Sequence, residues 1–235
     1  MIFERRAYTM EPGHVPAFDQ AQIDRGFYLV KSYMDRLVGY FSTLTGTTDQ
    51  IVHLYRYDSL DDWNTRLRGL YGVPELTPYF VNTRKIVRRQ VNGFYELLPV
   101  EALNPLWAGG NDWLPDNGQR LATLSGDVIV EERSFQLRPG GIPMFVEACN
   151  ETGVSALEQM ENRSIGAFIS MVGPLHNVTL LWWYENVAER DARQAVLAED
   201  NDWRVFIQSI TPLLTDQSSL LLTPRPIPEM SPLFG

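Results

Sequence analysis

The sequence has few of the residues that usually mark a reactive centre. Its 235 residues include one cysteine, Cys149, and three histidines, His14, His53 and His176. A single cysteine excludes an intrachain disulfide and a multi-cysteine zinc site, and Cys149 is expected to be a buried, inert thiol. No acidic cluster lies at ligand spacing from the histidines, so we expect no metal centre held by the protein.

The sequence is also short of positive charge and of long apolar runs. It has 20 basic and 29 acidic residues and a formal net charge of −9, so it has no basic excess to neutralise nucleic-acid phosphates or an anionic membrane surface. No run approaches the ~18 apolar residues of a transmembrane helix, and residues 1–6 lack the pattern of a secretory signal. We therefore expect a cytoplasmic protein that binds neither nucleic acid nor membrane.

Two common catalytic loops are missing as well. Gly109-Gly110 and Gly140-Gly141 lack the strand, lysine and helix that surround a phosphate-binding loop. The sequence also contains no Gly-x-Ser-x-Gly motif of an α/β-hydrolase. These absences argue against P-loop nucleotide binding and against a serine hydrolase of that type.

What the sequence does contain is an internal repeat. The stretch Ile51–Leu60 is matched by Val178–Val187, an offset of 127 residues (178 − 51). The same offset relates Pro12-Gly13 to Pro139-Gly140, Phe18 to Phe145, Gly39 to Gly166, Tyr57 to Tyr184 and Arg66 to Arg193. Agreement of proline, glycine and aromatic positions over such a length indicates two tandem copies of one structural unit.

Each copy is predicted to fold in the order β-α-β-β-α-β, the ferredoxin-like unit. In the first copy we predict strands at 2–10, 37–44, 50–57 and 92–98, and a first helix from Pro16 to about Tyr33. Ser59 and Asn186 are predicted to cap the second helix of their copies. Because the helix-free face of each sheet must be covered, the predicted fold class is α+β, with two ferredoxin-like repeats whose antiparallel sheets pair into a pseudo-dimeric α/β barrel.

The repeat sets the predicted domain organisation. Repeat 1 is assigned to residues 1–107, a connector to residues 108–127 and repeat 2 to residues 128–235. The stretch from Val100 to Asp127, where the first copy passes into the connector, contains Trp107 and Trp113, and flexible linkers seldom contain tryptophan. We favour a packed connector, with a lid over a ligand site as the alternative, because long ordered loops are often functional.

Several motifs resemble those of the NIPSNAP family. They are Glu4-x-Arg6-x-Tyr8-Thr9-x-x-Pro12-Gly13, the stretch Val52–Leu60 and, in the second copy, Glu189–Arg193, Asp200–Phe206 and Ser231-Pro232-Leu233. Together they span nearly the whole chain except the connector. The resemblance implies the dimeric α/β-barrel superfamily, which includes cofactor-free monooxygenases, cyclases, isomerases, haem enzymes and proteins with no known catalysis.

His53 is the strongest candidate for a catalytic residue. It is predicted to share a strand face with Tyr55 and Tyr57, and the first strand should bring Glu4 and Arg6 beside it. A histidine beside a carboxylate is a common general base near neutral pH, and Arg6 or Tyr57 could stabilise negative charge. The predicted catalytic residues are therefore His53, Glu4, Arg6 and Tyr57, and the predicted pocket residues are Tyr8, Tyr55, Trp182 and Tyr184.

A structural interpretation of the same residues remains open. His53 could be a hydrogen-bonded residue of an aromatic core, and the Glu4–Arg6 pair recurs as Glu131 and Arg133, as expected of an ion pair that each copy needs. The aromatic residues of the third strands fit a packed core as well as a cavity wall.

The sequence thus favours a small-molecule enzyme that uses acid/base chemistry on an apolar or aromatic substrate, such as a cofactor-free oxygenase, a cyclase or an isomerase. The alternative is a non-catalytic protein that binds a ligand or another protein, and a lesser alternative is haem binding through His53. We expect no cofactor and a small-molecule partner, and the sequence leaves a homo-oligomer open. Fold resemblance alone does not supply a reaction.

Overall fold

The computed structural model describes residues 1–116, 118–157, 160 and 163–235. Its strands are β1 (Ile2–Met10), β2 (Leu37–Thr43), β3 (Gln50–Tyr57), β4 (Val87–Leu97), β5 (Ile129–Leu137), β6 (Ser164–Val172), β7 (Asn177–Tyr184) and β8 (Leu214–Pro224). Its helices are α1 (Val15–Arg25), α2 (Lys31–Met34), α3 (Leu60–Tyr71), α4 (Thr77–Ile86), α5 (Gly141–Ala148), α6 (Val154–Leu157), α7 (Val187–Glu199) and α8 (Asn201–Ile210).

The eight strands form a closed antiparallel barrel in the order β1-β3-β2-β8-β5-β7-β6-β4. The predicted fold class, two ferredoxin-like repeats whose sheets pair into an α/β barrel, is therefore confirmed. The first three strands of each copy also keep the predicted offset, since β1, β2 and β3 begin 127 residues before β5, β6 and β7 (129 − 2, 164 − 37 and 177 − 50).

The second helix of each copy begins where the sequence predicts. The Ser59 hydroxyl accepts a hydrogen bond from the Asp62 backbone N–H at 3.1 Å, and the Asp62 carboxylate accepts one from the Asp58 N–H at 3.1 Å. In the second copy the Asn186 side chain accepts from the Glu189 N–H at 2.9 Å. Each cap satisfies a backbone donor that the helix itself leaves unpaired, so both predicted caps are confirmed.

Two predicted boundaries are wrong, each for a local reason. The first helix does not run to Tyr33 but ends at Arg25, because Gly26 adopts φ 72° and ψ 167°, which is a glycine conformation that a helix cannot continue through. Strand β4 begins at Val87, five residues before the predicted start (92 − 87). The sequence did not indicate this start, because residues 88–91 are exposed and show no apolar alternation.

The chain divides into two compact units. Unit 1 contains residues 1–94, 114–126 and 224–235, and unit 2 contains residues 95–113 and 127–223. Within unit 2, Trp107 and Trp113 are buried, and the Trp107 indole N–H donates to the Ile165 carbonyl at 2.5 Å. The stretch that contains these two tryptophans is therefore packed rather than free. The predicted domain boundaries stay predictions.

Among the described residues, no helix combines the length and the apolar character that crossing a membrane would require.

Candidate functional site

Unit 1 contains a pocket of about 110 Å³ between the β1–β3 surface and the helices α1 and α4. Strands supply Arg6, Tyr8, His53 and Tyr55, and helix α1 supplies Phe18, Gln22 and Arg25 on one face. The wall is completed by Met34, Leu70, Tyr71, Tyr79, Phe80, Thr83, Arg84, Val87, Gln90 and Met230. The volume is large enough for several water molecules or for a small organic ligand.

His53 is a buried residue of this pocket wall. It stands opposite Arg6 on β1 and opposite Tyr40 on β2. Its ring centroid is 4.8 Å from that of Tyr40, 5.3 Å from that of Tyr8 and 5.9 Å from that of Tyr55. Burial, together with the positive charges of Arg6 and Arg25, lowers the pKa of His53 well below its usual value. The imidazole is therefore neutral at neutral pH.

The sequence predicted that Glu4 lies beside His53. In the structure Glu4 stands opposite Tyr55 instead. Its carboxylate accepts two hydrogen bonds from Arg6, at 3.1 and 2.6 Å, one from the Trp63 indole at 3.2 Å and one from the Asn92 amide. Four donors thus hold a fully buried carboxylate, which makes Glu4 the partner of Arg6 rather than of the histidine.

Arg6 belongs both to this ion pair and to the pocket wall. Its guanidinium lies 4.9 Å from the centroid of the Tyr55 ring, within the range of a cation–π contact. Tyr57 is buried behind Tyr55, with ring centroids 5.8 Å apart, and burial raises its pKa well above the usual value. Of the four predicted catalytic residues, His53 and Arg6 line the pocket; catalytic roles for all four stay predictions.

The sequence reasoning missed Gln22, Arg25 and Tyr79. Phe18, Gln22 and Arg25 follow each other at spacings of four and three residues, which places them on one face of α1. Tyr79 accepts a hydrogen bond from the Gln22 amide at 2.8 Å, and burial raises the pKa of Tyr79 to about 12. The signal available in the sequence was the polar Gln22 at a position where the second copy has the apolar Cys149.

Three polar atoms of the pocket wall are buried and have no hydrogen-bond partner among the described residues. They are the Gln22 side-chain oxygen, the Arg25 Nε–H and the His53 Nδ1. Arg25 contacts the Met34 sulfur, at 3.3 Å, and the rings of Tyr79 and Phe27, at 4.8 and 5.9 Å to their centroids. Buried polar groups are normally paired, so three unpaired atoms around one pocket indicate a place that a polar ligand or water occupies.

The pocket wall is also positively charged. Arg6, Arg25 and Arg84 line it, and none of the described residues that line it is acidic. Glu4 balances the charge of Arg6. Within the described chain no carboxylate lies within ion-pair distance of Arg25 or of Arg84, so two charges are left without a partner.

In unit 2, five of the positions that correspond to the pocket wall are packed with apolar side chains. The offset of 127 takes Tyr8, Gln22, His53, Tyr79 and Thr83 to Phe135, Cys149, Leu180, Phe206 and Ile210, and these five residues belong to one buried hydrophobic cluster. The predicted pocket residues Trp182 and Tyr184 are part of the same cluster. The structure therefore places Tyr8 and Tyr55 in the pocket of unit 1, and Trp182 and Tyr184 in the core of unit 2.

The ion pair below the pocket, by contrast, recurs in unit 2. Glu131 accepts hydrogen bonds from Arg133 at 3.1 Å, from Arg190 at 2.9 and 3.2 Å and from Ser219 at 2.7 Å. Arg190 and Ser219 occupy the positions of Trp63 and Asn92 (63 + 127 and 92 + 127). A buried carboxylate with donors at the same positions is thus common to both copies, whereas the polar pocket is a feature of the first.

Comparisons with known proteins agree with the repeat and with the barrel. A family model described as NIPSNAP matches residues 3–101 and again residues 130–228. The chain is 24% identical to NipSnap homolog 1 of Danio rerio over 95% of its own length and 74% of the relative's. It is 28% identical to NipSnap homolog 2 of Mus musculus over 83% of its length and 63% of the relative's, so it spans less than two thirds of that protein.

A solved structure provides a comparison for the fold alone. A Lactobacillus acidophilus protein named for a proposed monooxygenase activity superimposes with a TM-score of 0.58, over 95% of this chain and 93% of that one. The two sequences are 8% identical, so the likeness is one of fold.

Proposed function

The chain belongs to the NIPSNAP family, and we propose that it is a small-molecule enzyme whose proton-transfer site is the pocket of unit 1. The observation that supports this proposal is that three residues of one pocket wall, Gln22, Arg25 and His53, each carry a buried side-chain atom without a hydrogen-bond partner among the described residues. Leaving a buried polar atom unpaired costs about 1–3 kcal/mol. The first copy keeps three such atoms in the wall of one cavity, whereas the second copy has the apolar Cys149 and Leu180 in place of Gln22 and His53. This difference favours a ligand site in the first copy over a packed core.

In the proposed reaction His53 acts as the base. Because burial and two nearby arginines keep the imidazole neutral, it can accept a proton at Nδ1 from a carbon next to a substrate carbonyl group. The C–H bond breaks, its electron pair remains on the substrate as an enolate, and the proton moves to the imidazole. Return of that proton to another position of the substrate completes an isomerisation or starts a ring closure.

The arginines stabilise the negative charge that this step produces. Arg6 is fixed by its two hydrogen bonds to Glu4, and Arg25, a residue of the pocket wall, has an Nε–H without a partner among the described residues. Donors that are fixed before the reaction and aimed at developing charge are an effective form of catalysis. Negative charge on the substrate also raises the pKa of His53 at the moment when it takes up the proton, since it offsets the effect of the arginines.

Deuterium exchange tests the proposal without knowledge of the natural substrate. Acetophenone is small, flat and uncharged, and it carries C–H groups next to a carbonyl. In D2O the wild-type protein should catalyse incorporation of deuterium into the methyl group, as followed by NMR or mass spectrometry. General-base catalysis contributes about 10²–10⁴-fold, so H53Q should lose at least ~100-fold of the rate while its melting temperature stays within a few degrees.

A matched variant makes the result specific. His14 is exposed and lies outside the pocket, so H14Q should exchange at the wild-type rate. Exchange by H53Q at the wild-type rate would remove His53 from the mechanism. Acetophenone bound without exchange would favour the non-catalytic ligand-binding alternative.

A further inference from the structure

We infer that the ligand of the unit 1 pocket carries a carboxylate group on a small aromatic ring, with Arg25 as the partner of the carboxylate. This inference rests on the proposed function, in that it specifies the ligand of the same site. It depends on the charge and shape of the pocket, and it holds whether or not His53 moves a proton.

Arg25 has no carboxylate partner among the described residues. Its side chain contacts the Met34 sulfur and the rings of Tyr79 and Phe27, and none of these groups carries a negative charge. Its Nε–H is buried and has no acceptor in the described part of the chain. A guanidinium with an unpaired N–H, in a pocket without acidic wall residues, is suited to a carboxylate.

Basic residues also follow the pocket residue Arg84 along the chain. Arg84 lines the pocket, and Lys85, Arg88 and Arg89 follow it at exposed positions. Arg88 pairs with Glu11 at 3.8 Å. Four basic residues within six positions are notable in a chain whose net charge is −9. Such a local positive field attracts small anions to the pocket and raises their association rate.

The pocket wall is largely aromatic but also contains an unpaired polar atom. The rings of Tyr8, Phe18, Tyr55, Tyr79 and Phe80 line the pocket, and aromatic walls favour a flat ligand through stacked or edge contacts. The unpaired oxygen of Gln22 accepts but cannot donate a hydrogen bond. A ligand that satisfies Arg25 and Gln22 together therefore has an acceptor at one position and an O–H or N–H donor at another, as in a hydroxybenzoate.

Calorimetric titration with the three hydroxybenzoate isomers and their three amides tests the inference. An amide keeps the ring, the hydroxyl and nearly the same size but lacks the negative charge. We expect at least one hydroxybenzoate to bind at least tenfold more tightly than its amide. R25Q should remove that difference by weakening carboxylate binding at least tenfold, while the affinity for the amide changes little.

The control variant is R138Q. Arg138 is exposed in unit 2 and lies outside the pocket, and its replacement changes the net charge by the same amount as R25Q. It should leave both affinities unchanged. If R138Q weakens carboxylate binding as much as R25Q does, the effect is one of overall charge and the assignment of Arg25 is wrong.

The remaining outcomes separate this inference from the proposed function. Equal affinity for carboxylates and amides, or no measurable binding of any carboxylate, would overturn the inference. Neither result affects the exchange experiment, since acetophenone is uncharged. Conversely, tight and Arg25-dependent binding of a hydroxybenzoate together with no exchange would leave the ligand assignment standing and remove the proposed reaction.

Discussion

At the scale of single residues, His53 illustrates how a polar group can be held where packing alone would favour an apolar one. Its Nδ1 is buried without a partner among the described residues, and the corresponding position of the second copy is Leu180. Leu180 is buried in a hydrophobic cluster. We therefore expect that the position of His53 can accept an apolar side chain of similar size, and that the histidine lowers the stability of the fold.

H53L should accordingly stabilise the protein. Removal of an unpaired buried polar atom is expected to raise the free energy of unfolding by about 1–2 kcal/mol at neutral pH, as measured by urea denaturation. H14L is the control, because His14 is exposed and should change little. If H53L instead loses as much stability as a protein with a new core cavity does, the prediction is wrong. His53 would then be a hydrogen-bonded residue of the core.

The pH dependence follows from the lowered pKa of His53. Above the unfolded-state pKa of about 6.5 the imidazole is neutral in both the folded and the unfolded chain. Below it the unfolded chain binds a proton first, so wild-type stability falls as the pH decreases, by up to about 1.4 kcal/mol per pH unit. The advantage of H53L should therefore grow between pH 7 and pH 5; a constant advantage would mean that His53 does not titrate differently on folding.

At the scale of secondary-structure elements, the end of α1 positions the pocket residues. Gly26 ends the helix directly after Arg25, in a backbone conformation that only glycine adopts readily. A Cβ atom at this position would meet nothing within 4 Å, so any effect of substitution comes from the backbone alone. The conformation of Gly26 thus fixes where α1 stops and where the Arg25 side chain starts.

G26A should lower the free energy of unfolding by about 1–3 kcal/mol, which is the usual strain of a side chain in this region. It should also weaken hydroxybenzoate binding, because relief of the strain shifts Arg25. G126A serves as the control, since Gly126 has no positive φ and its added Cβ would meet no atom. Unchanged melting and binding in G26A would show that α1 tolerates another ending.

At the scale of the whole molecule, each copy contains a buried carboxylate that several donors hold, Glu4 in the first and Glu131 in the second. Although burial disfavours its charged form, hydrogen bonds from Arg190 and Ser219 and the charge of Arg133 hold the pKa of Glu131 below its usual value. E131Q leaves Arg133 without a counter-charge and leaves Arg190 with only the exposed Asp191, at 3.0 Å. Because each of these arginines is one-fifth exposed, we expect a loss at the lower end of the usual range, about 3 kcal/mol.

Chemical denaturation of E131Q measures that loss. E147Q is the matched control, because Glu147 is an exposed residue of the same unit. Hydroxybenzoate affinity should be unchanged in both variants, since Glu131 lies outside the pocket wall. A stability equal to that of wild type would show that the ion pair contributes no net energy, as occurs for some buried pairs.

The sequence predicts the architecture better than the site, for physical reasons. Strand β3 is rich in β-branched and aromatic residues, and the capping residue Ser59 follows it closely. Its limits at Gln50 and Tyr57 can therefore be predicted from the sequence. The start of β4 cannot, because exposed polar residues on a strand look like a loop. The pocket depends on Gln22 and Arg25, whose face of α1 is recognisable only when β1 and β3 are known to lie beneath it.

The contrast between a polar pocket in one copy and an apolar core in the other has a consequence for local motions. Cooperative opening of a region becomes easier as its buried apolar contacts decrease. The amide hydrogens of β3 should therefore exchange with solvent faster than those of β7, and a bound hydroxybenzoate should slow the first set while leaving the second unchanged. Native-state hydrogen exchange would then show that local opening is easier in the first copy than in the second.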